Sequence, residues 1–213
     1  MGKVPRPGRV KTRLTRGMTP QAAALLYRAF LQDTFRLVDR VRASDWSRVF
    51  ACALADGEDL AAAQALAPDG WRVVAQQGEG LGARIEHARQ CGAAKQVVVM
   101  GSDSPTLPDV RLSQAFEALE ATGPGSAAVA PTEDGGYALI AFDGPALALL
   151  SEIPWSTELV WASTKQAALA ADIPLTALEV GYDVDHPEDL DRLRCDADPE
   201  RHPATIAALA SLR

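Results

Sequence analysis

Short apolar segments alternate with amphipathic ones along most of the chain, and this alternation limits the folds open to it. The apolar segments have the length of β-strands and lie at 48–55, 71–76, 96–100, 126–131, 138–142 and 175–180. The amphipathic segments, of which 20–41 is the longest, have helical periodicity. Alternating strands and helices predict an α/β fold with a mostly parallel sheet. In such sheets, ligands bind at the carboxyl ends of the strands.

Composition is that of an ordinary soluble globular protein. With 213 residues, 47% hydrophobic and 23% charged, the chain predicts one domain over residues 1–213. The net charge of −7 argues against general nucleic-acid binding. No apolar run approaches the ~20 residues of a membrane span, and the basic start lacks the apolar region of a secretory signal. The three cysteines are widely spaced, as expected for reduced thiols in a cytoplasmic protein.

The first sixteen residues are strongly basic and contain no acid. Their basic side chains are Lys3, Arg6, Arg9, Lys11, Arg13 and Arg16. A basic segment on an acidic protein predicts a small anionic ligand such as phosphate. Gly8 allows a tight turn, Arg9, Lys11 and Arg13 suit a diphosphate, and Thr12 adds a hydroxyl. The alternative is a solvated tail or an ordinary surface turn.

Acidic loops follow three of the strand-like segments. Asp103 comes directly after 96–100, and a position at the end of a buried strand suits a rigid Mg²⁺ or Mn²⁺ ligand. Asp183 and Asp185 follow 175–180 and alternate along extended backbone, so both point the same way. The sequence DGGY after 126–131 permits close backbone contact with a ligand. The alternatives are a turn at Asp103, a helix cap at Asp185 and a hairpin turn at DGGY.

All these loops fall at predicted carboxyl ends of strands. We therefore expect the basic segment and the carboxylates to meet around one nucleotide diphosphate and one divalent cation. A metal ion would neutralise the phosphates and stabilise the leaving group.

The order of these motifs resembles that of a known family. PRPGRVKTRL, Asp33, GEGLGARI, GSDSPTLP, PTEDGGYALI, WST and DVDHPEDL occur here in the order found in glycosyltransferase-A-like (GT-A-like) proteins of the arsenosugar-biosynthesis type. These proteins belong to the nucleotide-diphospho-sugar transferase superfamily, which also contains guanylyltransferases. The resemblance implies a three-layer, Rossmann-like GT-A fold that binds a nucleotide with Mg²⁺ or Mn²⁺.

Roles for individual residues also follow from the resemblance. It implies that Gly8, Arg9, Lys11 and Arg13 lie along the nucleotide phosphates. It makes Asp103 a metal ligand, and Asp183 and Asp185 further ligands or the general base.

The sequence departs from the family in two places. Only Met1 and Gly2 precede the basic segment, so the first strand is expected to be missing or truncated, and the exposed sheet edge would favour a homodimer. The usual Asp-x-Asp is replaced by Ser102-Asp103-Ser104, so the loop at 183–185 would have to supply further carboxylates.

The favoured function is metal-dependent transfer of a sugar from a nucleotide-sugar to a small acceptor. Asp134 or Asp185 would deprotonate the acceptor hydroxyl. The residues expected at the acceptor pocket are Gly135, Gly136, Tyr137, Trp155, Ser156 and Thr157. One alternative is a nucleotidyltransferase, which would take a nucleoside triphosphate and a small phosphorylated substrate. The other is a non-catalytic nucleotide-binding protein.

Overall fold

The computed structural model describes residues 1–41, 46–55, 57–92, 94–151 and 153–212. Its strands are β1 (Gly2–Lys3), β2 (Val49–Ala53), β3 (Arg72–Ala75), β4 (Gln96–Met100), β5 (Ala127–Pro131), β6 (Tyr137–Asp143) and β7 (Leu175–Ala177). Its α-helices are α1 (Pro20–Val41), α2 (Leu60–Gln64), α3 (Gly80–Gly92), α4 (Asp109–Thr122), α5 (Val160–Ala170), α6 (Asp189–Asp196) and α7 (Pro203–Ser211). Two 3₁₀ helices cover Leu14–Arg16 and Gly144–Ser151. The predicted α/β alternation is confirmed.

The strands form two hydrogen-bonded groups, in the orders β1-β2-β3 and β4-β6-β5-β7. Every paired strand runs parallel to its neighbour except β6, which is antiparallel to both β4 and β5. Strands β5 and β6 are therefore a hairpin, and the hairpin alternative for DGGY is confirmed. Because β4, β5 and β7 run in the same direction, their carboxyl ends lie at one edge, as predicted.

The first strand is present but very short. Gly2 and Lys3 of β1 pair with Cys52 and Ala53 of β2, and the amino group of Met1 donates to the carbonyl of Met100 at the end of β4 (2.6 Å). Beside this point a cavity of about 530 Å³ lies between β2 and β4 and is lined by both strands.

The cavity overturns one prediction about β4. The sequence predicts a buried strand here, yet all five residues of β4 are only half-buried. Strands β5 and β6, which are packed on both sides, are almost wholly buried. The sequence of β4 suits a fully covered strand, but the neighbour that would cover one edge is too short.

Helix α1 supports the basic segment and the end of the chain. Thr19 caps its N-terminus, because the Thr19 hydroxyl accepts the N–H of Ala22 (3.1 Å). Asp33, only 1% exposed, accepts the N–H groups of Ala204 and Thr205 at the start of α7. A carboxylate suits this place, since a helix N-terminus presents free N–H groups and a positive dipole end. None of the helices in the described ranges has the length and apolarity that crossing a membrane requires.

Candidate active site

The basic segment is a turn-rich loop held at defined points. Gly8 and Lys11 have positive φ values of 75° and 46°, a left-handed backbone conformation that occurs in tight turns. Leu14, which is completely buried, anchors the following 3₁₀ helix in the core. The loop is therefore not a solvated tail, and its side chains are presented from a fixed backbone.

Lys11 connects this loop to two of the acidic loops. Its Nζ lies 2.5 Å from Oδ1 of Asp103 and 2.9 Å from Oδ1 of Asp185. Arg13 reaches the other oxygen of Asp185, Oδ2, at 3.0 Å. The Lys11 side chain is 3% exposed, whereas Arg13 is largely exposed. The Asp185 carboxylate makes no helix-capping contact among the described residues, so the capping alternative is wrong.

The protonation of this group follows from its ion pairs. Burial by itself lowers the pKa of Lys11, but the adjacent carboxylates of Asp103 and Asp185 outweigh it and raise the pKa above its ordinary value. Burial likewise opposes ionisation of Asp185, yet Lys11 and then Arg13 hold the pKa of that carboxyl below its usual range. At neutral pH both are charged.

Asp183 stands in a different environment, although it is two residues from Asp185. Its carboxylate accepts a hydrogen bond from the Ser104 hydroxyl. Burial raises the pKa of Asp183 to about 6, with the charges of Asp103 and Asp134 adding to the effect and the bond from Ser104 opposing it. The N–H of Val184 donates to the carbonyl of Asp103 (2.8 Å), which ties the two loops together.

These groups surround an open pocket of about 270 Å³. It is lined by Lys3, Arg9, Val10, Lys11, Thr12, Arg13, Tyr27, Asp103 and Asp185. Four of the five residues predicted to bind the nucleotide therefore line one pocket with two of the three predicted metal ligands. Gly8 is close in the chain but does not line it.

Asp134 has a structural task in the β5–β6 hairpin. Its Oδ1 accepts the hydroxyl of Thr132 (2.6 Å) and the N–H of Gly136 (3.0 Å), closing the turn. Gly135 has φ +87°, and a Cβ there would lie 2.0 Å from the carbonyl oxygen of Glu158. The hairpin is thus packed against the segment that leads into α5, and the carbonyl of Gly135 accepts the N–H of Trp161 (2.8 Å).

The residues expected at the acceptor pocket are brought together around this hairpin. The Tyr137 hydroxyl hydrogen-bonds Thr164 (2.7 Å), and the Tyr137 ring meets Trp155 edge-on, with centroids 6.0 Å apart. Thr157 caps its own turn by donating to the carbonyl of Pro154 (2.8 Å), and Ser156 has φ +67°. Tyr137 and Trp155 also contribute to the hydrophobic core.

The donor chemistry suits a hard divalent cation, although the side chains do not form a cage. In the parts of the chain that the structure describes, no group of three Asp, Glu, His or Cys residues is arranged to hold a metal. Mg²⁺ and Mn²⁺ need only one or two protein carboxylates when substrate phosphates supply the remaining oxygens. Asp103 and Asp185 provide two oxygens that already converge on one cation, the ammonium of Lys11.

Two residues of the site escaped the sequence analysis. Ser104 was named only as a neighbour of Asp103 and was given no role, whereas its hydroxyl donates to Asp183, 79 positions away. The Tyr27 hydroxyl accepts the N–H of Lys3 (3.0 Å) and is bonded to Ser102 (2.8 Å), joining α1 to two segments of the site. Tyr27 lies on the apolar face of a long helix, where nothing in the sequence distinguishes it from core.

Comparisons with solved structures agree with this architecture. The chain is 31% identical to a protein from Desulfovibrio desulfuricans G20 provisionally described as a nucleotide-diphospho-sugar transferase, with a TM-score of 0.84 over 98% of this chain and 91% of that one. It resembles CMP:2-keto-3-deoxy-manno-octonic acid synthetase complexed with CTP at 14% identity (TM-score 0.58; 78% of this chain, 86% of that one). It also resembles glucosyl-3-phosphoglycerate synthase from Mycobacterium tuberculosis, solved with Mn²⁺ and UDP, at 15% identity (TM-score 0.52; 87% and 75%).

The first similarity is close enough to indicate homology. The other two show the fold, which is the Rossmann-like fold of nucleotide-diphospho-sugar transferases. No curated protein matches the chain. Residues 37–157, more than half of its length, match a family described as uncharacterized protein conserved in bacteria. The chain therefore belongs to that family, DUF2064.

Proposed function

We propose that this protein is a cation-dependent transferase that takes a nucleotide-sugar and moves the sugar to a small acceptor. The observation that carries the proposal is the meeting of Lys11 and Arg13 with Asp103 and Asp185 in one open pocket. Basic side chains beside convergent carboxylates are the groups that a diphosphate and its cation need. Their place at the carboxyl ends of the strands is where such sheets bind ligands.

The phosphate half of the site is the basic loop. Arg9 and Arg13 would hold phosphate oxygens through their planar forks, and Lys11 would act as a compact positive charge. Thr12 adds a hydroxyl, and the turn at Gly8 carries the loop past the pocket. Departure of a nucleoside diphosphate concentrates negative charge on its oxygens, so these groups stabilise the leaving group.

The cation half of the site is the pair Asp103 and Asp185. A bound Mg²⁺ or Mn²⁺ would neutralise the diphosphate and stabilise its departure. Ser104 fixes the position of Asp183 through its hydroxyl.

Asp183 is the carboxylate best placed to accept the acceptor's proton. Among the described residues no basic side chain contacts it, whereas Asp185 is bound by Lys11 and Arg13. Asp134, the other base expected from the sequence, is occupied by the turn that it closes. The hairpin nevertheless lies beside the segment that leads to Asp183, because the N–H of Glu133 donates to the carbonyl of Gly181 (3.1 Å).

The acceptor would approach along this hairpin. The residues proposed to contact it are Gly135, Gly136, Tyr137, Trp155, Ser156 and Thr157. The side of Gly135 that would carry a Cβ is covered by the carbonyl of Glu158, so an acceptor would contact chiefly the exposed Ser156 and Thr157 and the partly exposed Trp155.

Nucleotidyl transfer is the second candidate, favoured by the four basic residues that line one pocket, which are Lys3, Arg9, Lys11 and Arg13. In that reaction a phosphate of the substrate attacks the α-phosphate of a triphosphate, and Arg9, Lys11 and Arg13 would stabilise departing pyrophosphate.

Product analysis tests the proposal and separates it from the alternatives. The purified protein is incubated with Mn²⁺ or Mg²⁺, a panel of small acceptors and either nucleotide-sugars or nucleoside triphosphates. Release of a nucleoside diphosphate from a nucleotide-sugar supports sugar transfer, and release of pyrophosphate from a triphosphate supports the second candidate. Turnover of neither, with nucleotide binding intact, would leave the non-catalytic alternative and overturn the proposal.

A further inference from the structure

Lys11 occupies the position where a cation shared by Asp103 and Asp185 would sit. The ammonium bridges one oxygen of each carboxylate, at 2.5 and 2.9 Å. Its side chain is 3% exposed, so it is enclosed at this point rather than resting on the surface. The positive φ of Lys11 shows that the loop adopts an uncommon backbone conformation at the residue that carries this side chain.

A divalent cation and this ammonium exclude one another. Mg²⁺ and Mn²⁺ bind carboxylate oxygens at about 2.0–2.2 Å, so an ion between the same two oxygens would overlap Nζ. Two adjacent positive charges would also repel strongly in an enclosed site. Binding of a bare cation therefore leaves the enclosed ammonium without its anionic partners, which is unfavourable for a buried charge.

Phosphates supply the missing partner. Lys11 and Arg13 are both bound to Asp185, one on each oxygen, and both belong to the loop that lines the pocket. A phosphate group arriving with its cation gives the ammonium an anion to move to, while the cation takes its place between the carboxylates.

We propose that Lys11 is the resident counter-ion of Asp103 and Asp185, and that a divalent cation displaces it only together with phosphate. The ligand of the site is then a cation–polyphosphate complex, and free Mg²⁺ or Mn²⁺ binds weakly. This inference rests on the proposed cation site but not on which group is transferred.

Mn²⁺ binding, followed by the electron paramagnetic resonance signal of the free ion, tests the inference without turnover. Inorganic pyrophosphate serves as the probe, because it carries no base or sugar, and its own association with Mn²⁺ is included in the fit. For the wild-type protein we expect weak Mn²⁺ binding alone and at least a tenfold gain in affinity with pyrophosphate. Because linkage is reciprocal, Mn²⁺ must strengthen pyrophosphate binding by the same factor.

Replacing Lys11→Met keeps much of the side chain's volume and removes the charge. We expect Mn²⁺ alone to bind this variant at least tenfold more tightly than wild type, and pyrophosphate to add little. The matched control is Lys95→Met, at an exposed position before the amino end of β4; it should bind as wild type does. Equal Mn²⁺ affinity in folded Lys11→Met and wild-type protein would overturn the inference.

If Lys11→Met does not fold, Mn²⁺ binding to the wild-type protein, with and without pyrophosphate, tests the inference. In that case the absence of any gain in Mn²⁺ affinity with pyrophosphate would overturn the inference. The proposed function fails separately, if the linkage is found but no nucleotide donor is consumed.

Discussion

The loop after β4 and the hairpin loop after β5 are alike in sequence but differ in what satisfies their aspartates. Both follow a strand, and both combine aspartate with small residues. Asp103 is paired with a lysine side chain from another loop, whereas Asp134 is bound by a neighbouring hydroxyl and a backbone N–H of its own turn. In the account proposed above, the first arrangement exchanges the ammonium for a divalent cation. The hydrogen bonds of Asp134 can be broken only if the turn of the hairpin opens.

The group that neutralises an aspartate distinguishes a loop that binds a ligand from a loop that only stabilises the sheet edge. A carboxylate that is neutralised locally by its own backbone stabilises the fold. One that is neutralised by a residue about ninety positions away, as Asp103 is by Lys11, brings segments together and leaves their charges available to a ligand. Four substitutions test this distinction.

Gly135→Ala should have the largest effect. Its Cβ would lie 2.0 Å from the carbonyl of Glu158 and would need φ near +87°. We expect a loss of about 4 kcal/mol in the free energy of unfolding, which chemical denaturation can measure. The matched control is Gly125→Ala, with φ +84° and no atom within 4 Å of the added carbon, which should cost about 1 kcal/mol. Equal losses would show that the hairpin is not packed tightly against this segment.

Asp103→Asn should abolish cation-dependent nucleotide binding while leaving the fold intact. The amide retains the shape but not the charge that attracts the ion, so we expect at least a ~100-fold loss of affinity for a nucleoside diphosphate with Mn²⁺, or about 2.7 kcal/mol. Calorimetry with and without Mn²⁺ measures this. Asp191→Asn, at an exposed carboxylate of α6, is the control and should bind normally. Unchanged Mn²⁺-dependent affinity of Asp103→Asn would remove Asp103 from the cation site.

Asp183→Asn should stabilise the ligand-free protein, and only above pH 4. The pKa of Asp183 is raised to about 6 in the folded protein from 3.8, so the native state binds more protons and stability falls as pH rises from about 4 to 6. An asparagine does not titrate and still accepts the bond from Ser104. We expect equal stability near pH 3.5 and a gain of about 2–3 kcal/mol at pH 7, measured by chemical denaturation in the presence of a chelator. A destabilised variant at pH 7 would contradict the description of this carboxylate.

Asp134→Asn should have the smallest effect. The amide oxygen can accept both hydrogen bonds of the turn, and only their charge-assisted strength is lost, so we expect a cost of at most about 1 kcal/mol. The loss of turnover should be much smaller than the ~100-fold loss that follows removal of a general base. A loss of that size, with stability retained, would make Asp134 the base and transfer to it the role proposed for Asp183.

The sequence predicts the larger features because they depend on local patterns. The apolar periodicity over 20–41 predicts the extent of α1. The order of strands and acidic loops predicts which end of the sheet carries the charges. The sequence predicts that Lys11, Asp103 and Asp185 lie near one another but not that they form ion pairs, because the pairing joins residues far apart in the chain.

Three features depend on packing that a linear pattern does not contain. The half-buried state of β4 depends on the shortness of β1 across the cavity. The roles of Tyr27 and Ser104 depend on which segments cross near them. The distinction between Asp183 and Asp185, two residues apart on one loop, depends on which of them the basic loop reaches. The homodimer expected from an exposed edge stays a prediction.

A crystal structure with Mn²⁺ and a nucleoside diphosphate tests the central claim most directly, since the anomalous signal of Mn²⁺ locates the ion independently of the protein. The account predicts a peak between the carboxylates of Asp103 and Asp185, with the diphosphate against the basic loop and Lys11 moved onto a phosphate oxygen. A diphosphate bound elsewhere, or Lys11 still bridging the two carboxylates with no Mn²⁺ beside them, would contradict it.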